Sequence, residues 1–225
     1  TEAGFDWEKG RILDPACGSG SFLLGAYKFL LDWHLERYLE DKDRWAKAKN
    51  PTIFQHHKLG WRLTTAERKR ILTNNLYGVD IDPQAVEVTK LSLLLKVLED
   101  ENAESIQRQL QLFHERALPD LANNIKCGNS LIGPDFYKDK QLDAFDEEEM
   151  YRINAFDWNA EFKEIMAGGG FDAVIGNPPY IRSQSLGDRH RRYYEHAYDT
   201  ATATYDIYVL FVERGLALLQ DFGRL

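Results

Sequence analysis

Arg11-Ile-Leu-Asp-Pro-Ala-Cys-Gly-Ser-Gly20, followed by Ser21-Phe-Leu-Leu24, is the stretch on which the fold turns. Arg11-Ile-Leu-Asp14 reads as a short buried strand and Pro15 to Gly20 as a turn of small residues. Ser21 opens a helical pattern that runs to about Glu40. Strand, glycine turn and helix in that order open an α/β domain. The glycines admit a ligand close to the backbone, the helix start offers N–H groups, and Asp14 at the strand end can accept from a ligand ammonium. A tight turn that only packs a helix on a strand is the plain alternative for this segment by itself. It is not a Walker loop, because no Gly-Lys-Ser/Thr follows. Nor is it a dinucleotide fingerprint, because the third glycine would fall at Leu23.

The same alternation continues outward. Residues 41–62 are polar and read as an insertion or connector. Thr64-Thr-Ala-Glu67 fits a capping box that opens a helix. Leu76-Tyr-Gly-Val-Asp80 is a second strand, Asp82 caps the next helix, and Pro83 takes its first turn. That helix, to about Glu99, is apolar nearly all round, which predicts deep burial. Residues 103–115 read as helical and Ile125–Asn129 as a weaker third strand. Residues 134–170 form an acidic, irregular insert, with Gly168-Gly-Gly170 ending a short helix. Phe171-Asp-Ala-Val-Ile175 is the clearest strand. Gly176-Asn-Pro-Pro-Tyr180 leaves it, since two prolines cannot continue a central strand. Ser183 to Ala197 reads as a helix rich in Arg and Tyr, Tyr205 to Gln220 as an apolar helix, and a further strand is due near Asp221. The pattern predicts a doubly wound, mostly parallel sheet, with ligands beyond the carboxyl ends of its strands. Asp14–Gly20, Asp80–Asp82, Asn129 and Asn177–Tyr180 all fall at such ends.

Composition excludes several classes. The chain has 225 residues, 28 Lys plus Arg against 36 Asp plus Glu, a net charge of −8 and 44% apolar residues. That is an ordinary globular balance, not a collagen, a low-complexity tail or a disulfide-stapled miniprotein. Two cysteines, Cys17 and Cys127, imply no disulfide framework and make a reducing, cytoplasmic location the expectation. The longest apolar run, Phe22–Leu31, is interrupted by Lys28, so no membrane span is expected. The acidic balance argues against non-specific coating of nucleic acid, though a local basic patch can still act. Arg182, Arg189, Arg191 and Arg192, interleaved with Tyr193 and Tyr194, suit phosphate and base contact; a solvated helix face explains them equally well. His114-Glu115 lacks the second His of a zinc helix, so no metal site is expected.

Two strand ends carry more specific chemistry. Asp80 is placed to accept two ribose hydroxyls, while Asp82 reads as a helix cap. In Asn177-Pro-Pro-Tyr180 the prolines stiffen the turn and fix the Pro178 carbonyl. An Asn side-chain oxygen and a proline carbonyl are two acceptors that can grip one planar NH₂ group. Tyr180 supplies a face for stacking a planar ring.

Taken together, these segments resemble the gamma-class amino-group DNA methyltransferases that act on adenine, over Arg11 to about Leu219. Asp14-Pro-Ala-Cys-Gly-Ser-Gly20 looks like that family's S-adenosylmethionine loop, and Gly78-Val-Asp-Ile-Asp-Pro83 looks like its ribose-binding strand end. Gly128-Asn-Ser-Leu131 is similar to its adenine-binding segment, with Asn129 where many members carry Asp. Asn177-Pro-Pro-Tyr180 looks like its catalytic tetrapeptide, and the order of motifs is the gamma order. Arg68-Lys-Arg-Ile-Leu72 ahead of Asn74-Asn-Leu-Tyr-Gly-Val-Asp-Ile-Asp82 is similar to large fused restriction–modification and phage-defence methyltransferases.

The resemblance implies a class I, Rossmann-like methyltransferase domain truncated at its C-terminal strands. Residues 1–225 would be a single catalytic-domain fragment with inserts near 41–62 and 134–170 and no target-recognition domain. It implies S-adenosylmethionine as cofactor, held by Asp14, Pro15, Ala16, Gly18, Gly20, Asp80, Ile81, Asn129 and Ser130. It implies Asn177, Pro178, Pro179 and Tyr180 as the catalytic set, and DNA as partner through Arg182, Arg189, Arg191 and Arg192. Only ten residues precede Arg11, and they do not supply the segment that completes the family's methionine pocket. The helix Tyr205–Gln220 would then lack part of its packing partner and expose an apolar stripe suited to association with another copy. The competing expectations are methylation of RNA or of a protein glutamine, and a non-catalytic cofactor-binding or assembly module.

Overall fold

A computed structural model describes residues 6–56, 58–99, 118–137 and 147–225. In chain order its strands are β1 (Ile12–Asp14), β2 (Ile53–His56), β3 (Gly60–Leu63), β4 (Leu76–Asp80), β5 (Ile125–Cys127), β6 (Phe171–Val174) and β7 (Leu219–Arg224). Its helices are α1 (Ser21–Leu39), α2 (Lys42–Ala46), α3 (Thr65–Asn75), α4 (Pro83–Val97), α5 (Glu147–Ile153), α6 (Trp158–Glu161), α7 (Lys163–Ala167), α8 (Asp188–Ala197) and α9 (Tyr208–Leu218).

β1 needs only three residues because it is buried on both faces at the middle of a five-stranded sheet ordered β5-β4-β1-β6-β7. Its neighbours run parallel to it, with Ile12 opposite both Leu76 and Ala173. β5 and β7 extend the sheet in the same sense. The order therefore reverses between β1 and β6, the kind of switch point at which such sheets open a crevice. β7 is the strand expected near Asp221; it starts at Leu219, and the apolar helix before it stops at Leu218.

Side chains alternate across the sheet. Ile12 points into a cluster with Leu23, Tyr27 and Leu30 of α1, Ile71 and Leu72 of α3, and Leu93 of α4. Leu13 points into the opposite cluster, where Phe156, Trp158, Phe162 and Phe171 meet edge to face. A third cluster joins Leu131, Ile132 and Phe136 to Tyr194 of α8, Tyr198 just after it and Leu210 of α9. The expected caps are present: Thr64 Oγ1 accepts from Glu67 N–H at 3.3 Å and Asp82 Oδ1 from Gln84 N–H at 2.9 Å.

Four expectations need correction. The 41–62 insert holds α2 and an antiparallel β2–β3 hairpin, whose Ile53 and Leu63 lie opposite each other and are buried. The 134–170 insert is not irregular throughout, because α5, α6 and α7 form within it. α4 is not buried all round. Val86, Thr89, Leu93 and Val97 are buried, while Leu91 and Leu95 stay 57% and 60% exposed. A helix laid on one face of a sheet buries a stripe whatever its composition. In the Arg- and Tyr-rich segment, a short 3₁₀ turn at Ser183–Ser185 precedes α8, which starts only at Asp188. The helix expected at 103–115 lies outside the described residues. Among the described residues no helix is long and apolar enough to cross a membrane.

Candidate active site

The loop after β1 is tied down from below. Asp14 is 1% exposed, and its Oδ1 accepts from Ala16 N–H at 3.0 Å. Burial pushes its carboxyl up to about 7; the Ala16 N–H opposes that shift and the Asp80 charge adds to it. Cys17 N–H donates to the Val79 carbonyl at 3.1 Å and Gly20 N–H to the Cys17 carbonyl at 2.8 Å. Gly18 N–H donates to Asp80 Oδ2 at 2.8 Å, and the second Asp80 oxygen accepts from Asp82 N–H at 2.9 Å. One carboxylate thus joins the end of β4 to the loop after β1. Gly20 has φ 83°, and a Cβ there would lie 2.9 Å from the Thr89 side chain, so both its conformation and its packing require glycine. Burial, with the charges of Asp14 and Asp80, pushes the Cys17 thiol up to about 12 and keeps it protonated, so it is no nucleophile.

The loop after β5 rests on this one. Ser130 Oγ donates to the Pro15 carbonyl at 2.6 Å, and Trp158 Nε1 donates to the Ser130 carbonyl at 3.1 Å. Asn129 N–H donates to the Asn154 carbonyl at 2.7 Å, and Asn129 Oδ1 accepts from Leu131 N–H at 3.1 Å.

The chain leaving β6 passes close to Asp14. A Cβ on Gly176 would lie 2.7 Å from Asp14 Oδ1. Asn177 is exposed, and among the described residues nothing hydrogen-bonds its side chain or the Pro178 carbonyl. The backbone is then pinned, with Ile207 N–H donating to the Ile181 carbonyl and Ser183 N–H to the Tyr205 carbonyl, both at 2.8 Å. Tyr180 is 73% exposed, its ring centroid 5.7 Å from that of Tyr208.

These three loops border one cleft of about 590 Å³. Pro15 and Ala16, Asp80 and Ile81, Asn129 and Ser130, and Asn177 and Pro179 all line it. The rest of the expected set lies elsewhere. Gly18 and Gly20 shape the turn without lining the cleft. Asp14 and Pro178 border a smaller adjoining hollow of about 270 Å³ with Gly176, Val212 and Leu225. Tyr180 projects into solvent. His190 and Tyr194 of α8, with Ile207 and Phe211 at the start of α9, complete the wall. Each pair is spaced i, i+4, the one signal in the sequence that could have marked them. Burial, then the neighbouring Arg189, lowers the His190 pKa and favours the neutral ring.

The arginine patch is less open than its sequence suggests. Arg189 pairs with Glu149, Arg191 with Asp188 at 2.6 Å, and Arg192 Nε donates to the Asp188 carbonyl at 3.4 Å. Arg182 is exposed and its backbone bridges to Asp206.

The chain is similar in sequence to known proteins. The type II restriction enzyme and methyltransferase RM.Eco57I of Escherichia coli is 31% identical over 96% of this chain and 19% of its own length. The adenine-specific methyltransferase PglX of Streptomyces coelicolor is 26% identical over 93% of this chain and 15% of its own. A nuclease-deletion mutant of the Type ISP restriction-modification enzyme LlaGI, solved with a DNA substrate mimic, matches with a TM-score of 0.50 at 16% identity. It covers 96% of this chain and 15% of that one, a likeness of fold alone. The chain therefore spans about a fifth or less of these relatives. The profile of the Eco57I restriction-modification methylase family matches residues 74–225, more than half of the chain and every site element from Asp80 onward. On that match, and on the 31% identity to RM.Eco57I, the chain belongs to the Eco57I restriction-modification methylase family.

Proposed function

We propose that this chain transfers a methyl group from S-adenosylmethionine to the exocyclic amine of adenine in DNA, within a restriction–modification or phage-defence enzyme. The observation that carries this reading is a pair of unsatisfied acceptors, the Asn177 side-chain oxygen and the Pro178 carbonyl. Asn177 lines the cleft with Asp80 and Asn129, and Pro178 borders the hollow that adjoins it. The naming of PglX as an adenine-specific methyltransferase supports it.

The lining residues fit the cofactor. Asp80 presents carboxylate oxygens for ribose hydroxyls, the Asn129 amide offers a polar edge to adenine, and Pro15, Ile81 and Ile207 give apolar faces for its ring. About 590 Å³ lies within the ordinary range of ligand pockets. When bound, the cofactor supplies an activated sulfonium methyl. The remaining chemistry belongs to the chain.

An adenine amine is a poor nucleophile because its lone pair is delocalised into the ring. Asn177 Oδ1 and the Pro178 carbonyl accept its two hydrogens. Held out of the ring plane, the nitrogen regains its lone pair. The proline rings fix the direction of the carbonyl, so the acceptors need no reorganisation at the moment of transfer. Tyr180 offers a solvent-facing ring on which the base stacks, which requires the base to leave the duplex at a cost of roughly a few kcal/mol. Alignment and acceptor placement supply the rate with no covalent intermediate. Exposed Arg182 and Arg192 are placed to meet backbone phosphate.

Modified-base sequencing of DNA from cells expressing the full-length protein tests the proposal. N6-methyladenine at a defined site is the expected product. Unmodified DNA alongside methylated RNA or glutamine would reassign the substrate.

A further inference from the structure

The loop that carries Asn129 and Ser130 leaves β5, a three-residue strand at the edge of the sheet, so the sheet alone does little to fix it. α8 does. Tyr198 Oη donates to the Leu131 carbonyl at 2.7 Å and itself accepts from Arg214 Nε and Nη2 at 3.0 and 2.8 Å. The Arg214 guanidinium also lies over the Tyr198 ring, 5.1 Å from its centroid. Five residues earlier, Tyr193 Oη accepts from Gly133 N–H at 3.1 Å and donates to Asp135. Two hydroxyls, one on α8 and one on the extended residue that ends it, therefore grip a carbonyl and an N–H at either end of Leu131–Gly133. Between them Tyr194, buried, lines the cleft beside Asn129. Burial pushes both gripping phenols up, so each keeps its proton to donate.

We infer that Tyr193 and Tyr198 are positioning residues for the cofactor, holding the loop after β5 so that Asn129 and Ser130 face the adenosyl end of the cleft. This rests on reading the cleft as the cofactor site. Neither tyrosine hydroxyl reaches into the cleft; they act through the loop. A loop that visits other shapes binds more weakly by the fraction of time it is competent. Removing a hydroxyl while keeping the ring leaves the packing of α8 in place and frees the loop.

Calorimetric titration of the full-length protein with S-adenosylmethionine and with 5′-methylthioadenosine tests this. Tyr198→Phe is expected to weaken both ligands by the same factor, roughly tenfold, and Tyr193→Phe by roughly threefold. Glu195→Gln, on the outer face of the same helix, should leave both affinities unchanged. A packing role alone would lower the melting temperature and leave affinities measured well below it untouched. Wild-type protein that binds both ligands while the tyrosine variants match it overturns the inference and spares the reading of the cleft. A loss confined to S-adenosylmethionine overturns it too, because the loop would then not hold the adenosyl end. Wild-type protein that binds neither ligand overturns the reading of the cleft and the inference with it. Should Tyr198→Phe not fold, Tyr193→Phe decides by the same criteria.

Discussion

The loops leaving β1 and β6 lie side by side at the point where the strand order reverses, yet they are built in opposite ways. After β1, the N–H groups of Ala16, Cys17, Gly18 and Gly20 are all taken up inside the protein, and Asp14 and Cys17 are buried. After β6, Asn177 and Tyr180 are exposed, and the acceptors of Asn177 and Pro178 hold no partner among the described residues. Leaving a buried acceptor unpaired costs about 1–3 kcal/mol, whereas an exposed one rests on water at little cost. The first loop is thus a preformed cradle. The second leaves its acceptors open to solvent.

The largest effect that could break this contrast is at Asn177. Asn177→Ala should lower DNA methylation by the full-length protein by roughly 10²–10³-fold or more, while cofactor affinity stays within about twofold. Equal losses in methylation assay and calorimetry would show that the two loops do not divide the work. In the closed loop the outcome should be mixed. Asp80→Ala leaves the part-buried Gly18 N–H without its acceptor, while the exposed Asp82 N–H turns to water, so cofactor affinity should fall roughly 100-fold and stability by about 1 kcal/mol. Full stability in denaturant titration would show that the Asp80 bridge does not tie down the loop.

Gly176→Ala sits where the two loops touch. Its Cβ would press on Asp14, at a cost of about 1–3 kcal/mol, and should reduce transfer more than cofactor binding. Preserved turnover with weakened binding would place the contact on the cradle side.

The last test is a pH slope, which reads stability and leaves transfer aside. Asp14 has an ordinary pKa of 3.8 and is raised to about 7 by burial, so between those values the folded protein holds a proton that the unfolded chain has lost. Its contribution to stability is full below about pH 4 and lost as pH rises through about 7. Asp14→Asn cannot ionise, so its stability relative to wild type should climb across that window and level off above it. Unfolding titrations at about pH 4.5, 6 and 7.5 would show the climb, and a constant offset would mean that Asp14 is not the titrating group.

Much of this was legible in the chain because the informative residues sit where contiguous apolar runs stop. Ile12-Leu13, Leu76–Val79 and Phe171–Val174 each end at Asp or just before Gly-Asn-Pro-Pro, and those ends converge. What was not legible depended on tertiary partners. Ile53-Phe-Gln-His56 and Gly60-Trp-Arg-Leu63 pair through their backbones and bury only one residue each, so neither shows a strand's alternation. The leucines of α4 look alike in sequence, but only those facing α1 and the sheet are covered. His190, Tyr194, Ile207 and Phe211 join the cleft wall in pairs spaced i, i+4, a pattern that marks a helix face but not what the face docks against. The free-looking arginines find their acids on Glu149 and Asp188, one of them distant in sequence.

The Gly18–Asp80 hydrogen bond also governs what else the cradle accepts. In nucleotide-binding folds a glycine loop at a helix start turns its N–H groups toward phosphate. Here that donor is already occupied, and the group occupying it is an acid. An anion that reached for that N–H would meet a carboxylate where other loops offer an anion hole. A single aspartate thus turns this glycine loop against phosphate.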